Sequence, residues 1–272
     1  MVTGAGRGIG FEIARRLSAR GLAVNVTDVD EGAAAEAAAR IEGGSWASAL
    51  DVTDAEGCRR IAAEAEGRGG LAVWVNNAGI LLPGVAYEQG PAVHRAMLEV
   101  NALGTFNGTL AALEPMRRAG SGHVINLISL AGLVAAPGEA GYAASKHAAL
   151  GFTLGTLYDL RRSGVIGIQL SAVCPDGVWS PMLDDKLDDP DAVASFSGAM
   201  LLPGQVAERV ERLLDRPRPL VTIPRWRGAL VRLYATFPSL LLRFLPLALK
   251  DARRRQARLK RKVEAGGWPP PN

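Results

Sequence analysis

The sequence has few of the residues that build metal centres and disulfide frameworks. It contains two cysteines, Cys58 and Cys174, and three histidines, His94, His123 and His147, with no metal-ligand spacing among them. Two cysteines this far apart form neither a disulfide framework nor a zinc-binding pattern. We therefore expect no metal site and a reducing compartment, with Cys174 and the histidines in structural roles.

Long apolar segments and the features of a signal peptide are also missing. The N-terminal residues MVTGAGRGIG lack the basic and apolar regions of a secretory signal, so we expect a cytoplasmic protein. In the C-terminal part of the chain, the longest stretch without a charged residue is ten residues, 233–242. This is about half the length that a helix needs to span a bilayer.

Charge is distributed unevenly along the 272 residues. The formal net charge is +4, yet residues 225–262 hold twelve Lys/Arg and one acid, Asp251. The rest of the chain therefore carries a net charge of −7. The basic character belongs to the C-terminal segment and indicates nothing about the partners of the domain before it.

Short apolar, β-branched runs alternate with longer helical segments over residues 1–224. We predict strands near 22–28, 46–50, 71–75, 123–128, 166–173 and 219–223. The predicted helices between them are 8–20, 31–42, 54–67, 91–119, 142–162 and 203–215. This alternation predicts a single α/β domain with a Rossmann-type, doubly wound parallel sheet in three layers. Such sheets bind ligands beyond the carboxyl ends of their strands.

Two further segments stand out from this pattern. Residues 177–202 are acidic, carry Pro181 and Pro190, and are long for a connection, which favours a lid or substrate-binding loop. Residues 225–272 form a C-terminal helical tail, amphipathic and basic. We therefore divide the chain into a catalytic domain, 1–224, and this tail.

A glycine-rich loop opens the chain, where residues 3–10 read TGAGRGIG. Glycines let the backbone turn sharply and approach a pyrophosphate, and the following helix offers free N–H groups and its positive dipole end. The same composition suits a flexible terminus, but the alternation downstream favours a phosphate loop. Only Met1 and Val2 precede it, whereas strands usually have about five or six residues. We therefore expect a truncated first strand and a natural start further upstream.

Asp28 ends the next predicted strand, where a carboxylate can bind the adenosine ribose hydroxyls. Its charge would repel the 2′-phosphate of NADP, which favours NAD. Asp30 could compete for this role, and Arg7 in the glycine loop would attract that phosphate. The sequence predicts NAD, with NADP less favoured.

Tyr142 and Lys146 lie four residues apart in "GYAASKHAAL", residues 141–150, and hence one turn apart on a predicted helix. A tyrosine with its reference pKa of about 10 is a poor base at neutral pH, and a neighbouring ammonium group favours the phenolate. Alone, however, such a pair more often belongs to a solvated helix face. Its meaning depends on the other motifs.

Together the motifs resemble the short-chain dehydrogenase/reductase family over about residues 1–224. The resemblance is carried by the loop at 3–10, Asn76-Asn77-Ala78-Gly79, Asn101, Ser129, Tyr142-x-x-x-Lys146 and Pro175 through Met182. It implies that Tyr142 exchanges a proton with the substrate oxygen, to which Ser129 also bonds. It further implies that Lys146 lowers the pKa of the tyrosine and holds the nicotinamide ribose, while Asn101 helps to hold a water molecule.

The resemblance also implies a cofactor site, with Asn76 in a structural role beside it. The implied cofactor-binding residues are Gly4, Arg7, Gly8, Ile9, Gly10, Asp28, Asp51, Val52, Asn77, Ala78, Gly79, Tyr142, Lys146, Pro175, Val178 and Ser180. One residue departs from the family pattern, since Asp176 stands where a glycine is usual after Pro175. If that backbone needs a positive φ, Asp176 is strained there and Gly177 has to absorb the strain.

These features predict an enzyme that moves a hydride between NAD(H) and a lipophilic secondary alcohol or ketone. The lipophilic substrate is inferred from candidate pocket residues, which are Leu81, Leu82, Val134, Trp179, Met182 and the uncharged stretch 192–203. Alternatives are an NADPH-dependent 3-oxoacyl-carrier reductase and a non-catalytic dinucleotide-binding scaffold protein. The resemblance implies a homodimer or homotetramer built on helices 91–119 and 142–162.

Residues 225–262 lie outside the resemblance. Pro238 and Pro246 each predict the start of a short helix or a break in a longer one. Leu and Phe followed by dense Arg and Lys are typical of a segment that lies on an anionic membrane surface, so the protein could be peripheral on the membrane. Alternatively, the apolar half packs on the domain or on a partner subunit. A nucleic-acid partner has little support.

Overall fold

Seven parallel strands form one sheet in the order β3-β2-β1-β4-β5-β6-β7. The computed structural model describes residues 1–269, apart from the side chains of Leu240 and Leu241. Its strands are β1 Val2–Thr3, β2 Asn25–Asp28, β3 Trp46–Ala49, β4 Val73–Asn76, β5 Gly122–Leu127, β6 Ile168–Pro175 and β7 Leu220–Ile223. The strand order reverses between β1 and β4, which places a ligand-binding crevice at their carboxyl ends. The predicted doubly wound parallel sheet is confirmed.

Ten α-helices accompany the strands in the described part of the chain. They are α1 Gly8–Ala19, α2 Glu31–Ala39, α3 Ala55–Gly67, α4 Pro91–Met97, α5 Gly104–Ala119, α6 Ala140–Arg162, α7 Pro181–Asp184, α8 Pro203–Asp215, α9 Arg225–Thr236 and α10 Pro238–Glu264. Apolar residues of α1, α2 and α8 pack on one face of the sheet. Those of α3, α5 and α6 pack on the other. The molecule therefore has the predicted three layers.

Burial on both faces explains why the central strands read as continuous apolar runs. In β6, every residue except Gln169 is buried. The predicted strand at 22–28 is shorter in the structure and begins at Asn25, because its neighbour β3 begins opposite that residue, at Trp46.

The predicted helix at 91–119 is divided by a π-helical segment, Leu98–Leu103, between α4 and α5. Asn101 lies in this segment, and its carboxamide accepts a hydrogen bond from Ile80 N (2.8 Å) and donates one to Ile80 O (2.9 Å). Wide π turns of this kind often occur at functional sites. The widened turn lets Asn101 reach the chain that follows β4.

The C-terminal helices pack on the rest of the molecule. Helix α10 begins at Pro238 as predicted but continues through Pro246, so the expected second break is wrong. An internal proline costs a helix about 3 kcal/mol, and burial of the face that includes Ala252 offsets this loss. Gln256 of α10 donates hydrogen bonds to the carbonyl oxygens of Lys186 (3.1 Å) and Asp189 (2.9 Å). No helix within residues 1–269 combines the length and the apolar character needed to cross a membrane.

Candidate active site

The glycine loop between β1 and α1 has the backbone geometry of a phosphate cradle. Gly4 and Gly8 adopt positive φ angles of 59° and 60°. A Cβ atom on Gly4 would lie 2.8 Å from Ala78 Cα, and one on Gly10 would lie 2.6 Å from Asn77 Nδ2. The residue before α1, Arg7, provides no side-chain hydrogen bond to the first turn. The loop can therefore offer backbone N–H groups to an anion.

Asp28 lies against this loop at the carboxyl end of β2. Its Oδ2 accepts a hydrogen bond from Gly6 N (3.0 Å). Asp30, the competing acid, instead caps helix α2 by accepting from Ala33 N (3.0 Å). The structure therefore places Asp28, rather than Asp30, beside the loop.

Asp51 and Val52 follow β3 at the same edge of the sheet. Asp51 Oδ1 accepts from Thr53 N (2.9 Å) and from Thr53 Oγ1 (2.8 Å). The Val52 side chain is buried and packs where Gly104 leaves room for it. The carbonyl oxygen of Val52 accepts a hydrogen bond from Asn107 Nδ2 (3.0 Å).

The carboxyl end of β4 is joined to the glycine loop. The amides of Asn77 and Ala78 donate to Thr3 Oγ1 at 2.9 and 3.0 Å. Asn77 Nδ2 also donates to the carbonyl oxygens of Thr3 and Gly4, each at 2.9 Å. Asn76 is instead buried in the core, where its Nδ2 donates to Asn126 Oδ1 (2.8 Å).

Ser129, Tyr142 and Lys146 line one cavity of about 460 Å³. Ser129 follows β5, and the other two lie on one face of α6. Lys146 Nζ donates to Leu127 O (3.0 Å) and lies 5.7 Å from the centre of the Tyr142 ring. Of the expected cofactor residues, Ile9, Asn77, Gly79, Pro175, Val178 and Ser180 line the same cavity.

Asn101 reaches this cavity through Gly79. A Cβ atom on Gly79 would lie 3.0 Å from Asn101 Oδ1 and 3.5 Å from Lys146 Nζ, so Gly79 lies against both polar groups. Asn101 Nδ2 also donates to Ser145 Oγ (3.0 Å) on α6. The π-helical segment and α6 are thus held together beside Lys146.

Burial dominates the electrostatics of the tyrosine–lysine pair. Burial raises the pKa of Tyr142 far above the ordinary value. The charge of Glu139 also raises this pKa, whereas a hydrogen bond with Ser129 lowers it. Burial also lowers the pKa of Lys146 to about 8. Burial therefore keeps the Tyr142 phenol protonated at neutral pH.

Glu139, which sequence reasoning missed, is a buried acid one turn before Tyr142. Its Oε1 accepts from Ser195 N (3.0 Å) and Ser195 Oγ (2.7 Å). It lines the cavity, and burial raises its pKa to about 7. The sequence feature that could have identified Glu139 is its spacing of three residues from Tyr142, since residues at i and i+3 lie on the same side of a helix.

Glu139→Gln is expected to remove a pH dependence of folding. The pKa of Glu139 is raised from 4.5 to about 7 in the folded state, so the folded protein binds the extra proton between these pH values. The contribution of Glu139 to the free energy of unfolding should therefore fall by about 3 kcal/mol as pH rises through this window. Gln keeps an acceptor for Ser195, so the variant should be the more stable protein at pH 8 and equal to wild type near pH 4.5. Urea unfolding of wild type and variant at pH 4.5 and pH 8 measures this difference. A stability difference that is the same at both pH values would contradict the prediction.

The condition for strain at Asp176 is not met, since every residue with a positive φ in the described chain is a glycine. Asp176 Oδ2 instead accepts a hydrogen bond from Arg227 Nε of α9 at 2.9 Å. The side chains are 7% and 14% exposed, respectively. A Cβ atom on Gly198 would collide with the Asp176 carboxylate. The departure from the family pattern therefore creates a buried ion pair at the cavity.

The cavity wall includes only some of the predicted pocket residues. Leu81, Val134, Met182 and several residues of 192–203 line it. Leu82 and Trp179 do not; Leu82 is partly exposed, and the Trp179 ring packs edge-on against Trp268 with the ring centres 6.3 Å apart. Residues of α9 and α10 that sequence reasoning missed complete the wall, among them Leu230, Tyr234, Leu245, Ala248, Leu249 and Ala252.

A doubly wound sheet with a glycine loop where the strand order reverses is the architecture of a dinucleotide-binding domain. The family model described as short chain dehydrogenase matches residues 1–191. The chain belongs to the short-chain dehydrogenase/reductase family.

Similar proteins include a cyclopentanol dehydrogenase of Comamonas testosteroni, 34% identical over 226 residues, which are 78% of this chain and 84% of the relative. A 3-alpha-(or 20-beta)-hydroxysteroid dehydrogenase of Mycobacterium tuberculosis is 35% identical over 213 residues, 78% of this chain and 77% of the relative. A solved short chain dehydrogenase/reductase from Burkholderia phymatum, in complex with NAD, has a TM-score of 0.79 and 25% identity. The match covers 88% of this chain and 93% of the solved chain.

Proposed function

We propose that this protein is an NAD(H)-dependent dehydrogenase or ketone reductase for lipophilic secondary alcohols. The observation that carries the proposal is the joint placement of Ser129, Tyr142 and Lys146 in one largely apolar cavity of about 460 Å³. Such a cavity suits a small apolar ligand that is oriented by a few polar groups. The names of the two dehydrogenases described above, which specify cyclopentanol and hydroxysteroids, support alcohols on apolar skeletons.

Tyr142 is the general acid and base of the proposed reaction. In ketone reduction its phenol, protonated because of burial, donates a proton to the carbonyl oxygen, which the Ser129 hydroxyl orients. Lys146 holds the cofactor ribose, and Asn101 helps to hold a water molecule on the route from Lys146 to solvent. When bound, the nicotinamide ring donates or accepts the hydride. Alcohol oxidation uses the same groups in reverse, with Tyr142 receiving the proton.

The remaining residues of the proposed site bind the cofactor. Backbone amides at the start of α1 hold the pyrophosphate, and Asp28 binds the adenosine ribose. The residues that follow β3 and β4 line the adenine and nicotinamide ends. The residues after β6 lie at the nicotinamide carboxamide and the adjacent phosphate. Among them, the Asp176 side chain is turned toward Arg227.

Asp28→Ser is expected to shift cofactor preference toward NADP. The Asp28 carboxylate repels a 2′-phosphate, and a serine in its place removes the repulsion while its shorter side chain weakens the contact to the NAD ribose. The ratio of kcat/KM for NADP to that for NAD should rise about tenfold or more. The matched control is Asp30→Ser, which alters the cap of α2 and should leave the ratio unchanged. An equal shift in both variants would mean that Asp28 does not contact the cofactor.

Nicotinamide absorbance tests the activity itself. The protein is given NAD or NADP with a panel of lipophilic secondary alcohols, and the reduced cofactors with the matching ketones. Turnover with NAD(H) is expected. Preference for NADPH with 3-oxoacyl-carrier substrates would select the carrier-reductase alternative. Tight NADH binding with no turnover on the whole panel would instead support a scaffold protein.

The proposal includes a homodimer or homotetramer built on α5, α6 and the π-helical segment. Leu98, Leu103, Leu110 and Tyr158 of these elements are exposed in the single chain, and their apolar area suits a subunit interface. It also includes a cytoplasmic protein that is peripheral on an anionic membrane surface through 225–262. Nucleic acid has no part in it.

A further inference from the structure

Helices α9 and α10 separate the cavity from solvent. Leu230 and Tyr234 of α9, with Leu245 and Leu249 of α10, face the cavity. Ala252 and Gln256 continue this inner face and are buried. These positions recur at intervals of three and four residues, as expected for one face of a helix. The two helices are therefore a wall of the cavity and have a second, outer surface.

The outer surface around the α9–α10 turn is unusually apolar. Five large side chains are exposed around the turn, Leu233, Phe237, Leu242, Phe244 and Leu247, at 46–68% of their full areas. A sixth, Trp226, is exposed at the start of α9, where it also lines the cavity. Single exposed apolar residues are ordinary, but a cluster of this density marks an interaction site. Because Leu233 and Leu242 lie three residues from Leu230 and Leu245, the exposed cluster adjoins the cavity wall.

A basic stripe continues this surface along α10. Arg243, Lys250, Arg254, Arg258 and Arg261 are exposed and recur at helical spacing on the side opposite Ala252 and Gln256. Within residues 1–269, the ion pairs of α10 involve other basic residues, namely Arg255 and Lys260. The positive charge of the stripe is thus left for an external anion.

We propose that the outer surface of α9 and α10 docks on an anionic lipid bilayer and that lipophilic substrates enter the cavity from this side. The apolar cluster inserts at the level of the headgroups, and the basic stripe contacts lipid phosphates. An acidic protein or nucleic acid would pair with the stripe but leave six apolar side chains in water. The entry of substrate rests on the proposed dehydrogenase activity, whereas the docking deepens the proposed membrane association and does not depend on that activity.

Co-sedimentation of the full chain with lipid vesicles, without substrate or cofactor, tests the docking. Binding is expected to vesicles of phosphatidylcholine with phosphatidylglycerol, to weaken at high salt, and to be far weaker with phosphatidylcholine alone. Each basic residue near an anionic surface contributes roughly a factor of five to partitioning. Arg243→Gln/Arg254→Gln/Arg258→Gln should therefore bind about 100-fold more weakly.

The matched control removes the same charge elsewhere. Arg60→Gln/Arg117→Gln/Arg216→Gln replaces three exposed arginines of other elements and should bind vesicles nearly as well as wild type. Leu242→Ser/Leu247→Ser, both at exposed positions, should also weaken binding, by about tenfold or more. Circular dichroism establishes that each variant is folded.

Three results would overturn the docking. Wild type could remain in the supernatant, or the control triple could lose as much binding as the α10 triple. The leucine variant could keep full vesicle binding but change the oligomeric mass measured by light scattering, which would make the surface a subunit interface. Vesicle binding by a protein that turns over no alcohol would overturn the proposed function and leave the docking intact. Turnover of alcohols without vesicle binding would overturn the docking and leave the proposed dehydrogenase activity intact.

Discussion

Tyr142→Phe is expected to lower kcat about 1,000-fold and to leave NADH affinity within a few-fold of wild type. General acid–base catalysis contributes a factor of about 10²–10⁴, and phenylalanine removes only the reacting hydroxyl. The ring keeps its place in the apolar cluster that includes Leu81, Met97 and Phe196. Steady-state absorbance gives kcat, and NADH fluorescence titration gives the affinity.

Tyr87→Phe is the matched control for this experiment. Tyr87 is 88% exposed and lies outside the cavity, so its hydroxyl can be removed with no effect on kcat or on stability. If Tyr142→Phe retains kcat within about tenfold of wild type, another group transfers the proton and the proposed role of Tyr142 is wrong.

Arg227→Met is expected to reduce the free energy of unfolding by about 4 kcal/mol. Loss of one member of a buried ion pair leaves the other charge without a partner, which costs about 3–5 kcal/mol. The Asp176 side chain is only 7% exposed, so water cannot replace the guanidinium. Urea unfolding at neutral pH measures the loss.

The double variant Asp176→Ala/Arg227→Met separates the charge effect from lost packing. Removing both charges eliminates the unpaired carboxylate, so stability should recover to within about 1–2 kcal/mol of wild type. A double variant as unstable as the single one would mean that packing of the Arg227 side chain, and not the pair, holds α9 against the cavity.

The sheet and the phosphate loop could be predicted because their signals are local. Buried parallel strands read as apolar runs, and Gly4, Gly8 and Gly10 lie within one short segment. The π-helical segment could not be predicted, since it depends on hydrogen bonds between Asn101 and Ile80, which are 21 residues apart. Sequence spacing carries no information about such a contact.

The cavity wall was the least predictable part of the site for the same reason. Gln256 forms hydrogen bonds with backbone oxygens that are 67 and 70 residues away in sequence. In the sequence, Arg227 is one of many basic residues, and only the structure shows that it pairs with Asp176. The glycines of the phosphate loop are close together in sequence. The residues that line the cavity come from distant segments, and only the folded chain brings them together.

The hydrogen bonds of Gln256 have a consequence for engineering. They end on the carbonyl oxygens of Lys186 and Asp189, and every amino acid provides the same oxygen. The cavity-lining side chains of Met182, Ala194 and Ala199 can therefore be varied while the attachment of α10 by Gln256 is retained. Substrate scope can be evolved in one part of the gene without disturbing the glycine loop in another.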